Sequence, residues 1–186
     1  MNAYDLPTSL TIGEVDFPIN VGWRNIVSIF IEIRKPEHDQ VTRTAIMLCK
    51  LFPDWKEIPS DRIPEAIEKA RDFMDCGMKN EDRRKPRSVD WEQDAALIIP
   101  AVNKIAGGPD IRLHPEIHWW TFFGWYMSIR DSIFSIVLHI RQKKAKGKKM
   151  EKWEEEFYQE NRKMVDITEP ETDEIREEKE NLLKWL

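Results

Sequence analysis

His118-Trp119-Trp120-Thr121-Phe122-Phe123-Gly124-Trp125-Tyr126 is the stretch on which the fold turns. Six of its nine residues are aromatic, more than one helix face needs to anchor itself. At about 100° per residue, Trp119, Phe122, Phe123, Tyr126, Ile129, Ile133, Val137 and Ile140 share one wide face, the expected core face. The pattern predicts a helix that starts near residue 114 or 115 and continues to about residue 144. Trp120, Met127 and Leu138 form a second apolar ridge beside that face, and Trp125 with Ile136 extends the other flank. Thr121, Gly124, Ser128, Ser132 and Ser135 lie opposite, a small-residue stripe that would admit another backbone. Two readings of the flanks stay open. Either every aromatic is core, or Trp120, Trp125 and Met127 face a partner, since aromatic anchors bury much area at low entropic cost.

Upstream of this helix the chain opens with its only convincing strands. Leu10 and Ile12 alternate with polar residues, as do Val15, Phe17 and Ile19. Gly13-Glu14 between them suits a two-residue type II′ turn. An isolated hairpin is marginal in water, so this one must lie on the helices that follow. Helical spacing of Trp23, Ile26, Val27, Phe30 and Ile31 predicts a helix over residues 20–34, stopped by Pro36. A second, over 39–52, would turn Val41, Ala45, Leu48 and Cys49 inward. A third carries Pro64 in its first turn, Ile63, Ile67, Ala70 and Met74 as its stripe, and Gly77 as its stop. Asp90 reads as the cap of a further helix running to about Ala106, bent near Pro100. The fold class is therefore mainly α, with an N-terminal β-hairpin packed on a multi-helix bundle. Residues 1–20 hold the hairpin, 21–164 the helical domain with a basic loop at 79–87, and 165–186 an acidic helical extension.

The chain has 186 residues, a charged fraction of 34% and a net charge of -5. That length supports a real core without staples. The negative balance argues against a dedicated nucleic-acid binder. Cys49 and Cys76 lack CxxC spacing and sit in apolar helical patterns, which predicts buried free thiols in a reducing cytoplasm. No positive n-region or apolar h-region opens the chain, so no secretory signal is expected. Residues 117–140 are long enough to tempt a membrane span, but Arg130 and Asp131 near the middle would be costly in hydrocarbon.

Chemical signatures are sparse. His114 and His118 are four apart with Glu116 between them, but Pro115 stands where a zincin motif needs its catalytic Glu. No metal and no cofactor are expected. Asp90 and Asp94 form an i, i+4 carboxylate pair; a capping role explains the first, and a basic partner elsewhere explains the second. No GxGxxG or GxxxxGK[ST] loop is present, and no catalytic residue is assigned. The run Arg141, Lys143, Lys144, Lys146, Lys148 and Lys149 suits a helix C-terminus ended by Gly147, and the acidic segments that follow would compete with nucleic acid for it. Trp153, Phe157 and Met164 mark an amphipathic helix, with Glu154, Glu155 and Glu156 around its first turns. A last short helix carries Ile175, Leu182, Leu183 and Leu186, and is expected to fold back or to await a partner.

Taken in order, several of these pieces resemble one family. They are Leu6-Pro7-Thr8-Ser9-Leu10 with Ile12-Gly13 and Pro18-Ile19-Asn20, then Trp23-Arg24, Leu51-Phe52-Pro53 and Cys76-Gly77. Asp90-x-x-x-Asp94-Ala95, Ile117-His118-Trp119-Trp120-x-Phe122, Ile140-Arg141 and Phe157-Tyr158-x-x-Asn161-Arg162 complete the set. Together they resemble the bacteriophage Gp-fifteen proteins of tailed phages and prophages, over roughly residues 5–164. The resemblance implies a role in tail morphogenesis and no enzymatic activity. It implies a tail assembly chaperone in the host cytoplasm, with the tape-measure protein as partner, the tail tube protein as a second, and self-association open. The alternatives are a structural tail or connector component of the virion, or a small helical interaction module with no chaperone role.

Overall fold

A computed structural model describes residues 4–78 and 88–168. Two antiparallel strands, β1 (Ser9–Ile12) and β2 (Val15–Pro18), pair Leu10 with Phe17 and Ile12 with Val15. Gly13 takes φ +62° at the turn, the left-handed value that glycine meets without a Cβ penalty. Its N–H donates to both carboxylate oxygens of Glu65 at 3.1 Å, which ties the tip of the hairpin to a helix far along the chain. Leu10, Ile12, Phe17 and Ile19 are buried, as the alternation requires, whereas Val15 is exposed at the tip.

The helices are α1 (Trp23–Glu32), α2 (Gln40–Leu51), α3 (Ile63–Met74), α4 (Ala95–Ala106), α5 (Trp119–Met127), α6 (Ile133–Ala145), α7 (Lys152–Glu160) and the single turn α8 (Arg162–Val165). The fold is mainly α, with the hairpin laid on the helices. Asp39 caps α2 by accepting the N–H of Thr42 at 2.7 Å, and Pro64 sits in the first turn of α3, where its missing donor costs nothing. Asp90 accepts the N–H groups of Glu92 and Gln93 at 2.9 Å. That cap opens a turn over residues 91–94, and regular helix begins only at Ala95.

Some inward faces differ from those expected. On α1, Ile29 joins Trp23 and Ile26 in the core. On α2 the buried residues are Met47, Leu48 and Leu51, while Val41, Ala45 and Cys49 are exposed. The α2 stripe was too polar to fix its own phase, and packing against α1 and α3 turned Met47 and Leu51 inward. Cys49 is therefore not a buried thiol. Cys76 is half-buried, and burial, aided by the charge of Asp75, pushes its pKa up to about 12.

The expected long aromatic helix is two helices. Hydroxyl side chains in the middle of the apolar run bond to nearby backbone and compete with the helix ladder. Ser128 Oγ donates to the carbonyl of Gly124 at 2.8 Å, and Arg130 donates to the carbonyls of Met127 and Ile129. Asp131 takes φ +44°, and Ser132 with Ser135 forms a reciprocal capping box that starts α6. The serines expected to admit a crossing backbone are thus helix-end ligands instead. A Cβ on Gly124 would meet nothing within 4 Å, so no element among the described residues packs there. The break also places Ile133 in solvent at 53% exposure, although the uninterrupted pattern predicts it in the core.

At the N-terminal end of α5, His118 caps the helix. Its Nδ1 accepts the N–H of Trp120 at 3.1 Å and its Nε2 lies 3.0 Å from the carbonyl of Pro7. Those two partners require the tautomer protonated on Nε2. Gly22 pairs with His118 in an isolated antiparallel bridge, flanked by Trp23 N–H to Ile117 O (2.9 Å) and Trp119 N–H to Val21 O (2.7 Å). A Cβ on Gly22 would lie 2.7 Å from the carbonyl oxygen of Pro115. Only glycine lets these two backbones meet.

Around that clip the aromatics stack inward. Trp23 and Phe122 lie nearly parallel at 4.8 Å, and Trp119 contacts Phe30, Trp91, Phe122 and Phe123. Trp119 is wholly buried, with its indole N–H donating to Met74 O at 2.8 Å. The buried polar end of the indole is therefore satisfied, as a fully enclosed tryptophan requires.

Candidate functional site

The i, i+4 carboxylates Asp90 and Asp94 lead into a buried ion-pair assembly. Asp94 Oδ2 accepts the N–H of Asp90 at 2.9 Å and also Arg141 Nη1 at 2.6 Å, while Oδ1 accepts Arg141 Nη2 at 2.8 Å. Asp94 and Arg141 are 1% and 6% exposed. Arg141 uses its remaining donors on three carbonyls: Nε to Val165 (2.6 Å), Nη1 to Ser88 (3.0 Å) and Nη2 to Met164 (2.9 Å). Every guanidinium N–H thereby has an acceptor, the condition under which an enclosed ion pair is tolerated. Asp94 is the acidic partner of a basic side chain, as the sequence suggested. Tyr126 lies near by, where burial and then the Asp94 charge push its phenol up to about 12.

A second assembly lies along α6 and α7. Glu154 is fully buried and accepts Lys143 Nζ at 2.6 and 2.7 Å and the N–H of Glu151, with His139 Nε2 2.8 Å away. The Lys143 bond above all holds the Glu154 carboxyl below its ordinary pKa, against burial and together with the Glu151 N–H and His139. Next to it, Lys144 Nζ donates to the Tyr158 hydroxyl at 2.7 Å and to Asp166, and Tyr158 donates to Asp166 Oδ2 at 2.9 Å. Burial raises the Asp166 pKa, but the bonds from Lys144 and Tyr158 outweigh it and the net shift is downward. Gln93 closes the group by donating to Asp166 O at 2.8 Å and accepting the N–H of Thr168 at 3.0 Å. Residues 165–168, expected to begin the acidic extension, therefore belong to the body.

Sequence reasoning missed the inward turn of Glu154. It expected Trp153 to lead the apolar face of α7, but Trp153 is 48% exposed and the buried residues are Glu154 and Tyr158. The signal available was charge: three bases on α6 followed within a few residues by an acidic first turn. Glu154 and Asp166, held ionised by paired cations, make weak bases, so what this arrangement can do chemically is lock helices together.

The other candidates are scattered. His114 Nδ1 faces Glu116 at 3.2 Å, while His118 faces Pro7 and Trp120. Among the described residues no group of three or more His, Cys, Asp or Glu is placed to hold a metal. Trp120 is half-buried, stacked on Phe73 with ring centroids 6.0 Å apart, and its indole N–H donates to Phe73 O at 2.9 Å. Trp125 is half-buried against the main core. Met127 is 51% exposed. Met127 and Ile133 thus stand at the two ends of the 128–132 connection, with Trp125 close by in sequence. Ile175, Leu182, Leu183 and Leu186, like the basic loop at 79–87, lie outside the described residues. No described helix is long and apolar enough to cross a membrane. No protein-family model matches the chain, and neither a curated protein nor a solved structure does so.

Proposed function

We propose that the protein is a phage tail morphogenesis factor, a tail assembly chaperone. In this reading it works in the host cytoplasm and keeps the tape-measure protein soluble until tube subunits polymerise around it. The order of motifs that resembles the Gp-fifteen proteins motivates the role. The observation that carries the surface assignment is the paired exposure of Met127 (51%) and Ile133 (53%) beside the α5–α6 connection. Exposed large apolar side chains at the two ends of one connection suit contact with an amphipathic partner. Trp120 is a poor choice for that contact, because its indole is tied to α3. Tail tube protein is the second partner of this proposal, and self-association through the same edge is its competitor.

Coexpression with the tape-measure protein of the same gene cluster tests the reading. A chaperone raises the soluble fraction of the tape measure and copurifies with it, and the double substitution Met127→Asp, Ile133→Asp removes both effects without unfolding the chain. Lack of rescue, together with recovery of the wild-type chain from mature particles, would instead identify a structural tail component.

A further inference from the structure

A cavity of about 300 Å³ opens between the end of α1, the first turns of α2 and the end of α3. None of its lining residues belongs to either ion-pair assembly or to the α5–α6 connection. Three arginines, Arg34, Arg43 and Arg71, line it against one aspartate, Asp75. Its apolar wall includes Phe30, Met47 and Met74. The volume sits at the small end of the range for ligand pockets.

Arg43 decides its chemistry. Its Nη2 makes one long bond, 3.4 Å, to the carbonyl of Lys35. Its Nε is enclosed even from the cavity and has no acceptor among the described residues, so a ligand would meet the terminal nitrogens, which make no other bond among the described residues. Arg141 shows what this fold does with a buried guanidinium, since every one of its donors is matched. A guanidinium whose terminal nitrogens are so lightly bonded is open to a further acceptor, and a planar oxyanion is its natural complement. Arg34 already gives one donor to Val89 O at 2.9 Å, which fixes that side chain at the rim, while Arg71 adds positive charge from the exposed side of α3.

We infer that this cavity is a binding site for an oxyanion carried on an apolar body, with Arg43 as the principal contact, Arg71 as an auxiliary one, and Phe30, Met47 and Met74 as the apolar wall. The inference goes beyond the chaperone reading and does not depend on it.

The test is a titration of the full-length protein, followed through the Nε–Hε resonances of its arginines by NMR. The probes are phenyl phosphate, 4-phenylbutyrate, neutral 4-phenylbutyramide and inorganic phosphate. A saturable shift at Arg43 is expected with phenyl phosphate or 4-phenylbutyrate, and comparing those two separates a phosphate headgroup from a carboxylate. The neutral amide and inorganic phosphate should each bind about tenfold more weakly or worse, the worth of one charged hydrogen bond or of the apolar wall. Arg43→Met should abolish binding. Arg71→Gln, at an exposed position that leaves folding intact, should weaken it severalfold. The proposal is overturned by an unmoved Arg43 resonance with both aromatic anions, by an amide that binds as well as the acid, by inorganic phosphate binding as tightly as phenyl phosphate, or by Arg71→Gln leaving the affinity unchanged.

Discussion

The aromatic layer around α5 and the charged assembly around α6 to α8 hold the same protein together by opposite means. In the first, Trp23, Trp119 and Phe122 stack against one another, and the indole N–H groups are matched to backbone carbonyls. In the second, Arg141, Asp94 and Glu154 are buried as ions, each surrounded by partners. Apolar packing tolerates small errors in shape at a graded cost. Buried ions do not, because removal of one partner leaves the other charged and enclosed. The C-terminal half is thus the more specific and the more brittle. Half of its basic run is engaged within the chain: Arg141, Lys143 and Lys144 each pair with an acidic group, whereas Lys146, Lys148 and Lys149 are exposed.

The largest expected effect is in the aromatic layer. Trp119→Ala should cost about 4 kcal/mol in denaturant unfolding, through the cavity it leaves and the unmatched Met74 carbonyl. A loss below ~1 kcal/mol would mean the layer is not the organising core. Next comes the backbone clip beneath it. Gly22→Ala should cost about 2 kcal/mol, since the added methyl meets a carbonyl oxygen rather than a movable side chain, and a neutral substitution would show that the clip can open.

The charged half should differ in its pH response. The Glu154 pKa is lowered in the folded state, so its contribution is fully present above the ordinary glutamate range and is lost as pH falls through the lowered value. Unfolding of the wild type between pH 6 and 3 should therefore show a steeper acid limb than that of Glu154→Gln. Superimposable limbs would remove Glu154 from the account. A milder probe is thiol chemistry. Exposed Cys49 should react promptly with a thiol reagent, while Cys76, half-buried beside the aromatic layer, should react only as that layer opens. Equal rates would show a looser layer. The smallest effect belongs to Met127→Asp, expected to change stability by less than ~0.5 kcal/mol while, under the proposed chaperone role, lowering copurification of the tape measure.

Much of the fold was legible because local signals agreed. The Leu10, Ile12 and Phe17 alternation, the Gly13 turn, the Asp39 cap and Pro64 each act within a few residues. The α5 face was legible too, since Trp119 and Phe122 carry enough apolar area to set a phase. Residues 128–132 escaped because the apolar period runs unbroken across them, while serine hydroxyls and the left-handed Asp131 decide the break. Cys49 and Val41 were misplaced because α2 has a weak stripe whose orientation depends on its neighbours. Glu154 escaped for a different reason: a charge run carries no sign of which member turns inward. Asp94 was readable as someone's ionic partner, and Arg141 was visible as a base, but their meeting across 47 residues was not.

The most direct test of the account is a double-mutant cycle on that pair, comparing Asp94→Asn, Arg141→Met and the combined variant by denaturant unfolding. The account predicts a coupling energy of about 2 kcal/mol or more, with the double variant far less damaged than the sum of the singles. Additivity within ~0.5 kcal/mol would contradict it, and would remove the Asp94–Arg141 pair from what locks these helices together.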